Sequence, residues 1–142
     1  GMVSGVHYSV AEHSVLGVDI ARIRGVTGES ALRALLMHDA PEAYLGDKLR
    51  PLRALLPDFN RVHDRLADAI AARFDLGDHA GLVARYDALA YAVECRHFDR
   101  PAPDDVDRAE LDAALAAAMP RCLDHVHARG PFLKLCATLG LS

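Results

Sequence analysis

Apolar and polar positions along this chain recur with a spacing close to the helical period, and no run of alternating β-branched residues interrupts them. Alanine and leucine dominate the apolar set, and both favour helix. Proline, glycine and capping residues divide the pattern into six or seven predicted helices. The first is expected from about Val10 to Arg24. It opens on Ser9-Val10-Ala11-Glu12, a capping box in which the serine side chain serves a free amide and the glutamate reaches back. Gly25 closes it. The second is expected from about Gly28 to Met37, with Thr27 as its N-cap. Pro41 opens a short turn of helix that stops at Gly46, and Pro51 opens another that ends near Leu56-Pro57. A long helix from Asp58 to Phe74 carries Phe59, Val62, Leu66, Ile70 and Phe74 as one apolar stripe. Asp78 is placed to cap a helix from about His79 to His97. After the rigid Arg100-Pro101-Ala102-Pro103 link, Asp104 or Asp105 starts a helix to Met119, and the tail from Pro120 adds one or two more. The expected fold class is all-α: one compact helical bundle over residues 2–142, with Gly1 read as a tag remnant.

Composition narrows the class. With 142 residues, 51% apolar and 25% charged, the chain has the size and balance of one globular domain rather than a disordered segment. A net charge of −4 provides no basic footprint for nucleic acid. No stretch approaches the roughly 20 apolar residues of a membrane span, and no leader pattern is visible. Cys95, Cys122 and Cys136 are odd in number and widely spaced, which fits a reducing compartment and predicts a cytoplasmic protein. Glycine-rich phosphate loops are lacking, so ATP or dinucleotide binding has no support. The apolar fraction predicts a homodimer. The stripe Leu111, Leu115, Met119 and Leu123 reads equally as its surface or as core.

The chemistry concentrates in a few polar residues. His38-Asp39 ends an apolar helix. His13 shares a helical face with Leu16, Gly17 and Ile20, and Asp87 is flanked by Val83, Ala84, Ala90 and Tyr91. Alone, His13 reads as a core histidine held by a backbone carbonyl. Asp87 needs a cation if buried: Arg85, Arg96 or a metal. Taken together, two histidines and two aspartates from three helices form a set suited to one divalent ion of zinc, manganese, iron, cobalt or nickel type. Glu42 follows Asp39 by three and His38 by four, one helical turn, where it can orient water or act as general acid/base. Otherwise it is an acidic residue of a helix first turn. Asp47 lies after Gly46 near the same mouth, or is simply a turn residue. His63 and His79 sit at polar positions expected to face solvent, and His7 lies in a short tail before the first helix, read chiefly as a tail residue with the site as its alternative.

Four stretches in this order, Tyr8-Ser9-Val10-Ala11-Glu12-His13-Ser14, His38-Asp39-Ala40-Pro41-Glu42-Ala43-Tyr44-Leu45-Gly46-Asp47, Arg50-Pro51-Leu52 and Asp87, resemble the HD-domain superfamily of metal-dependent phosphohydrolases, in particular the branch of YfbR-like 5′-deoxynucleotidases. Gly130-Pro131-Phe132-Leu133 resembles a closing family element. The resemblance implies His13, His38, Asp39 and Asp87 as ligands of one divalent metal ion, with magnesium also among the metals it allows. It implies Glu42 as the residue that activates or positions water and Asp47 as its helper. Arg50 and Arg53 are its candidates for phosphate contact, or a solvated basic face beside Lys48. The implied function is hydrolysis of a small phosphomonoester, a nucleoside 5′-monophosphate first. The alternative is a catalytically degenerate module that binds metal and a nucleotide or partner without turnover. Family members usually carry an extra helix and loop before the Tyr-Ser-Val-Ala-Glu-His stretch. They also often have a branched apolar residue and proline after the aspartate that Asp47 matches. Both departures bear on substrate choice rather than on the metal set.

Overall fold

A computed structural model describes the backbone of residues 2–3, 6–123 and 125–141 and the side chains of 8–49, 51–123 and 126–141. The side chains of His7, Arg50 and His125 therefore lie outside the described residues. Among the described residues eight helices follow one another: α1 (Val10–Ile23), α2 (Glu29–Met37), α3 (Glu42–Leu45), α4 (Arg50–Ala54), α5 (Pro57–Phe74), α6 (Ala80–His97), α7 (Arg108–Ala117) and α8 (His125–Thr138). The class is all-α, as expected. One small addition precedes α1: Met2–Val3 (β1) pairs antiparallel with Val6–His7 (β2), a backbone ladder too short to leave an alternating signal in the sequence.

The helix starts show which capping signals act. In α1 the capping box forms, with the Glu12 amide donating to Ser9 Oγ at 3.2 Å and the Ser9 amide to Glu12 Oε2 at 3.4 Å. For α2 the expected cap, Thr27, is displaced by Gly28, which makes no side-chain cap bond. Helix α6 begins at Ala80 behind His79, while Asp78 accepts weakly from the Ala80 amide at 3.5 Å. Helix α7 starts at Arg108 rather than after Asp104 or Asp105, because Asp107 accepts from the Glu110 amide at 2.9 Å. It ends at Ala117, short of Met119. The tail forms one helix, α8, which accommodates Pro131 inside it.

The core is shared by α1, α2 and α6, with α7 and α8 packed around them. Val18, Ile20, Leu35, Leu36, Leu89, Val93 and Leu139 are fully enclosed. Burying each such side chain contributes about 1.5–3 kcal/mol. Leu111 joins this core and Leu115 packs against it, so that part of the stripe considered as a pairing surface is internal, while Met119 stays 56% exposed. Helix α5 behaves differently from its pattern. Its stripe is at most half-buried, and Val62 is 52% exposed, because α5 rests chiefly on α4 at the edge of the bundle. No helix among the described residues is long and apolar enough to cross a membrane.

Candidate metal centre

Three elements of the core converge at one point. His13 lies in the second turn of α1, His38 caps the C-terminus of α2 with Asp39 beside it, and Asp87 is central in α6. Packing of α1 against both α2 and α6 brings these side chains together. His13 Nε2 stands 2.9 Å from Asp87 Oδ1 and 4.0 Å from Asp39 Oδ2. His38 Nε2 stands 3.2 Å from Asp39 Oδ2 and 3.5 Å from Asp87 Oδ1. One potential ligand atom from each of His13, His38 and Asp87 lies within 4.8 Å of the others. Donors around a tetrahedral first-row ion with bonds near 2.1 Å are separated by about 3.4 Å. The observed spacings bracket that value.

The His38 ring is oriented by its backbone. Its Nδ1 is 2.7 Å from the Leu35 carbonyl oxygen, which can only accept, so this nitrogen carries the hydrogen. The opposite nitrogen, Nε2, is buried and makes no well-aligned hydrogen bond; the Asp39 and Asp87 carboxylates stand beside it at ion-pair distance. A buried nitrogen without a directed hydrogen bond gains from a partner placed on its lone-pair axis. A cation set between it and the two carboxylates would be such a partner. The compact donor set among the described residues, the imidazoles of His13 and His38 and the carboxylate of Asp87, suits a divalent first-row metal, and Asp39 stands beside both rings.

The electrostatics carry the same message. Burial opposes a charged His13 ring, yet its hydrogen bonds to Asp87 and Glu94 outweigh that and push it up to about 10. Burial likewise opposes charge on His38, and the Asp39 and Asp87 carboxylates beside its Nε2 push it up to about 9. Asp87 is held well below the usual carboxylate range: burial works against its charge, but the two histidines more than compensate. Without a metal, the carboxylates hold protons on the imidazoles. The same negative field would hold a divalent ion.

The structure distributes the other predicted residues unevenly. The Glu42 amide bonds the Asp39 carbonyl at 2.9 Å, which sets Glu42 one tight turn beyond the cluster at the start of α3. Burial, then the charges of Asp39 and Asp47, push its carboxyl up to about 7. Asp47 is exposed just after Gly46, whose φ of 71° turns the chain there. Arg53 is directed to α5, with Nε donating to Asn60 Oδ1 at 3.2 Å and its guanidinium 6.0 Å from the Phe59 ring centre. Lys48 approaches the same ring at 5.8 Å. Among the described residues no hydrogen bond or ion pair joins Arg53 to the four-residue cluster. Arg50 opens α4, with its side chain outside the described residues. His38 also borders a cleft of about 230 Å³ whose other walls include Met37, Ile70, Ala71 and Val83. His79 does not simply face solvent: it is half-buried, with Nε2 2.9 Å from Ser30 Oγ. His63 retains only 18% side-chain exposure, against the solvent-facing expectation.

Two residues that sequence reasoning left without a role stand behind the centre, one touching His13 and the other supporting the first. Glu94 Oε1 lies 2.6 Å from His13 Nδ1, and the Tyr8 hydroxyl donates to the same oxygen at 2.7 Å. Glu94 follows Asp87 by seven residues, two turns along one face of α6, a spacing that could have drawn attention to it.

No family model matches the chain, and no solved structure matches it significantly. It is similar to an uncharacterized protein of Rhodobacter capsulatus, RCAP_rcc00048, with 44% identity over 71 residues, 49% of this chain and 36% of that protein. It is also similar to the uncharacterized protein YfdR of Escherichia coli, with 38% identity over 90 residues, 63% of this chain and 47% of that protein. The matches thus span less than half the length of either curated relative.

Proposed function

We propose that this chain is a metal-dependent phosphohydrolase of the HD type, acting on a small phosphomonoester, with nucleoside 5′-monophosphates first among its substrates. The observation that carries the reading is the buried Nε2 of His38, which makes no well-aligned hydrogen bond and lies among ligand atoms of His13 and Asp87 grouped within 4.8 Å, with Asp39 beside it. His13, His38, Asp39 and Asp87 would hold one divalent ion. Such an ion supplies Lewis acidity and neutralises charge on a phosphate group. Asp87 and Asp39 retain 35% and 26% side-chain exposure, so the centre opens to solvent on the side of its carboxylates. Glu42, titrating near neutrality, is matched to taking or giving a proton there, since the most effective acid–base groups have pKa values near the working pH. Asp47 helps to set that value through its charge. One phosphate needs few cationic contacts, whereas a polynucleotide needs a basic track that a net charge of −4 does not provide.

The test is a panel of mono-, di- and triphosphates and single-stranded DNA, assayed with manganese, cobalt or magnesium. Monoesters should be cleaved only with metal, and Asp87→Ala should abolish turnover. Cleavage confined to diphosphates or polynucleotides would refute the substrate class. Metal uptake without any turnover would favour a binding module over an enzyme.

A further inference from the structure

Two imidazoles meet at the centre, and they are oriented by different devices. His38 gives its Nδ1 hydrogen to the Leu35 backbone carbonyl. His13 has a side-chain carboxylate at that position, Glu94, at 2.6 Å. Glu94 is 9% exposed, and its ion-pair partner among the described residues is His13; no lysine or arginine joins it there. A buried carboxylate is costly unless it is paired, and here the His13 ring is that pair. Its remaining support is the phenol of Tyr8, itself 7% exposed, which donates to the same oxygen. Tyr8 is steadied in turn by an edge-on contact with Phe98, their ring centres 5.6 Å apart. The result is a chain of contacts, Tyr8 to Glu94 to His13, that leads from the residue before the first helix cap to the metal cluster.

We infer that Glu94 and Tyr8 are positioning residues for metal binding: Glu94 takes the His13 Nδ1 hydrogen and leaves the Nε2 lone pair for the ion, and Tyr8 fixes the Glu94 carboxylate in place. The charge on Glu94 makes His13 a stronger donor than an imidazole bonded to a neutral carbonyl. The two ligand rings are therefore unequal, and His13 is the one whose donor strength a single side chain can alter. This rests on the metal-centre reading, not on hydrolysis.

The experiment compares the wild type with Glu94→Gln, Glu94→Leu and Tyr8→Phe. Metal affinity is measured by titration with manganese and cobalt, and the absorption spectrum of the cobalt-loaded protein is recorded. Glu94→Gln keeps an acceptor oxygen and loses the charge, and Glu94→Leu loses both. Affinity should fall from wild type to glutamine to leucine, by about 10–100-fold in all, the usual range for removing such a partner. The cobalt spectrum should shift as the His13 ligand weakens. Tyr8→Phe removes one hydroxyl from an intact ring and should weaken binding in the same direction by less; it serves if the Glu94 variants do not fold. A residue needed only for packing would lower the melting temperature and leave affinity and spectrum unchanged. Folded variants with wild-type affinity and an unshifted spectrum would overturn the inference while the metal centre stood. A wild-type chain that takes up no divalent ion would overturn both.

Discussion

His13 Nε2 and Asp87 Oδ1 stand 2.9 Å apart although 74 residues separate them in the chain. The pairing depends on α1 lying against α6, so the site and the core are products of the same packing. A carboxylate that is part-buried and held far into its charged form by two imidazoles is primed for a cation.

Asp87→Asn keeps the shape of that side chain and removes its charge. It should reduce divalent-metal affinity by more than the roughly 100-fold expected for a merely supporting partner. In the wild type, saturation at about 100 times Kd should stabilise the fold by about 2.7 kcal/mol. For a chain of this size that raises Tm by on the order of 5–10 °C. Calorimetry with and without manganese checks both. An Asp87→Asn variant with an undiminished metal-dependent shift in Tm would show that Asp87 is not a ligand.

The pH dependence of the metal-free form has a definite sign. His13 and His38 are raised from 6.5 to about 10 and about 9. Their protonated rings therefore stabilise the fold fully below about pH 6.5, and this contribution is lost as pH climbs through the folded values. Glu42, raised from 4.5 to about 7, acts in the same direction lower in the range. In a chelator, Tm should fall between pH 7 and 10. Metal affinity should rise over the same interval, because fewer protons remain to be displaced. Thermal melts and metal titrations across that range measure both; a flat Tm profile would contradict the coupled cluster.

Much of this was legible in the chain because helices announce themselves locally. The capping box at Ser9 and Glu12 and the shared faces of His13 and Asp87 are properties of a few neighbouring residues. That His13, His38 and Asp87 come within 4.8 Å of one another, with Asp39 beside His38, accords with three such faces and with the motif resemblance. Glu94 escaped because a glutamate in a helix reads as a solvated residue unless one already knows that His13, 81 residues earlier, lies opposite. Arg53 was open between phosphate contact and a solvated basic face, and its bond to Asn60 and its approach to the Phe59 ring on α5 were not legible because those partners lie on another helix. Helix α5 shows the limit of periodicity, which states that a stripe exists and not how deeply it is buried.

Gly17 tests the packing beneath the site. It lies inside α1, one turn after His13, and a Cβ added there would sit 3.6 Å from Leu35 Cδ1, an ordinary contact. Gly17→Ala should therefore stabilise the protein by up to about 1 kcal/mol through helix propensity and leave metal affinity unchanged. Gly17→Leu would drive its branches into the fully buried Leu35 and should cost about 1–3 kcal/mol through overpacking. Denaturant unfolding distinguishes the two. Destabilisation by alanine would mean that α1 and α2 approach more closely than 3.6 Å allows.

Glu42 carries the prediction closest to function. Its carboxyl sits one turn beyond His38 and Asp39 and is pushed up to about 7, because burial and the charges of Asp39 and Asp47 disfavour its ionised form. Glu42→Gln preserves size and removes the titration. It should retain metal binding and lose about 10²–10⁴-fold in turnover, the usual contribution of a general acid/base. If Glu42 accepts a proton in the rate-limiting step, kcat/KM of the wild type rises with pH to a plateau above about 7, and that limb is absent from the residual activity of the variant. Asp47→Asn removes one of the charges that raise the Glu42 value, so it should move the same limb to lower pH without abolishing activity. Measuring kcat/KM from pH 5 to 9 for all three proteins, each at full metal occupancy, decides the matter. Turnover of Glu42→Gln close to wild type would remove Glu42 from the chemistry, and a limb that ignores Asp47→Asn would assign the titration to another group.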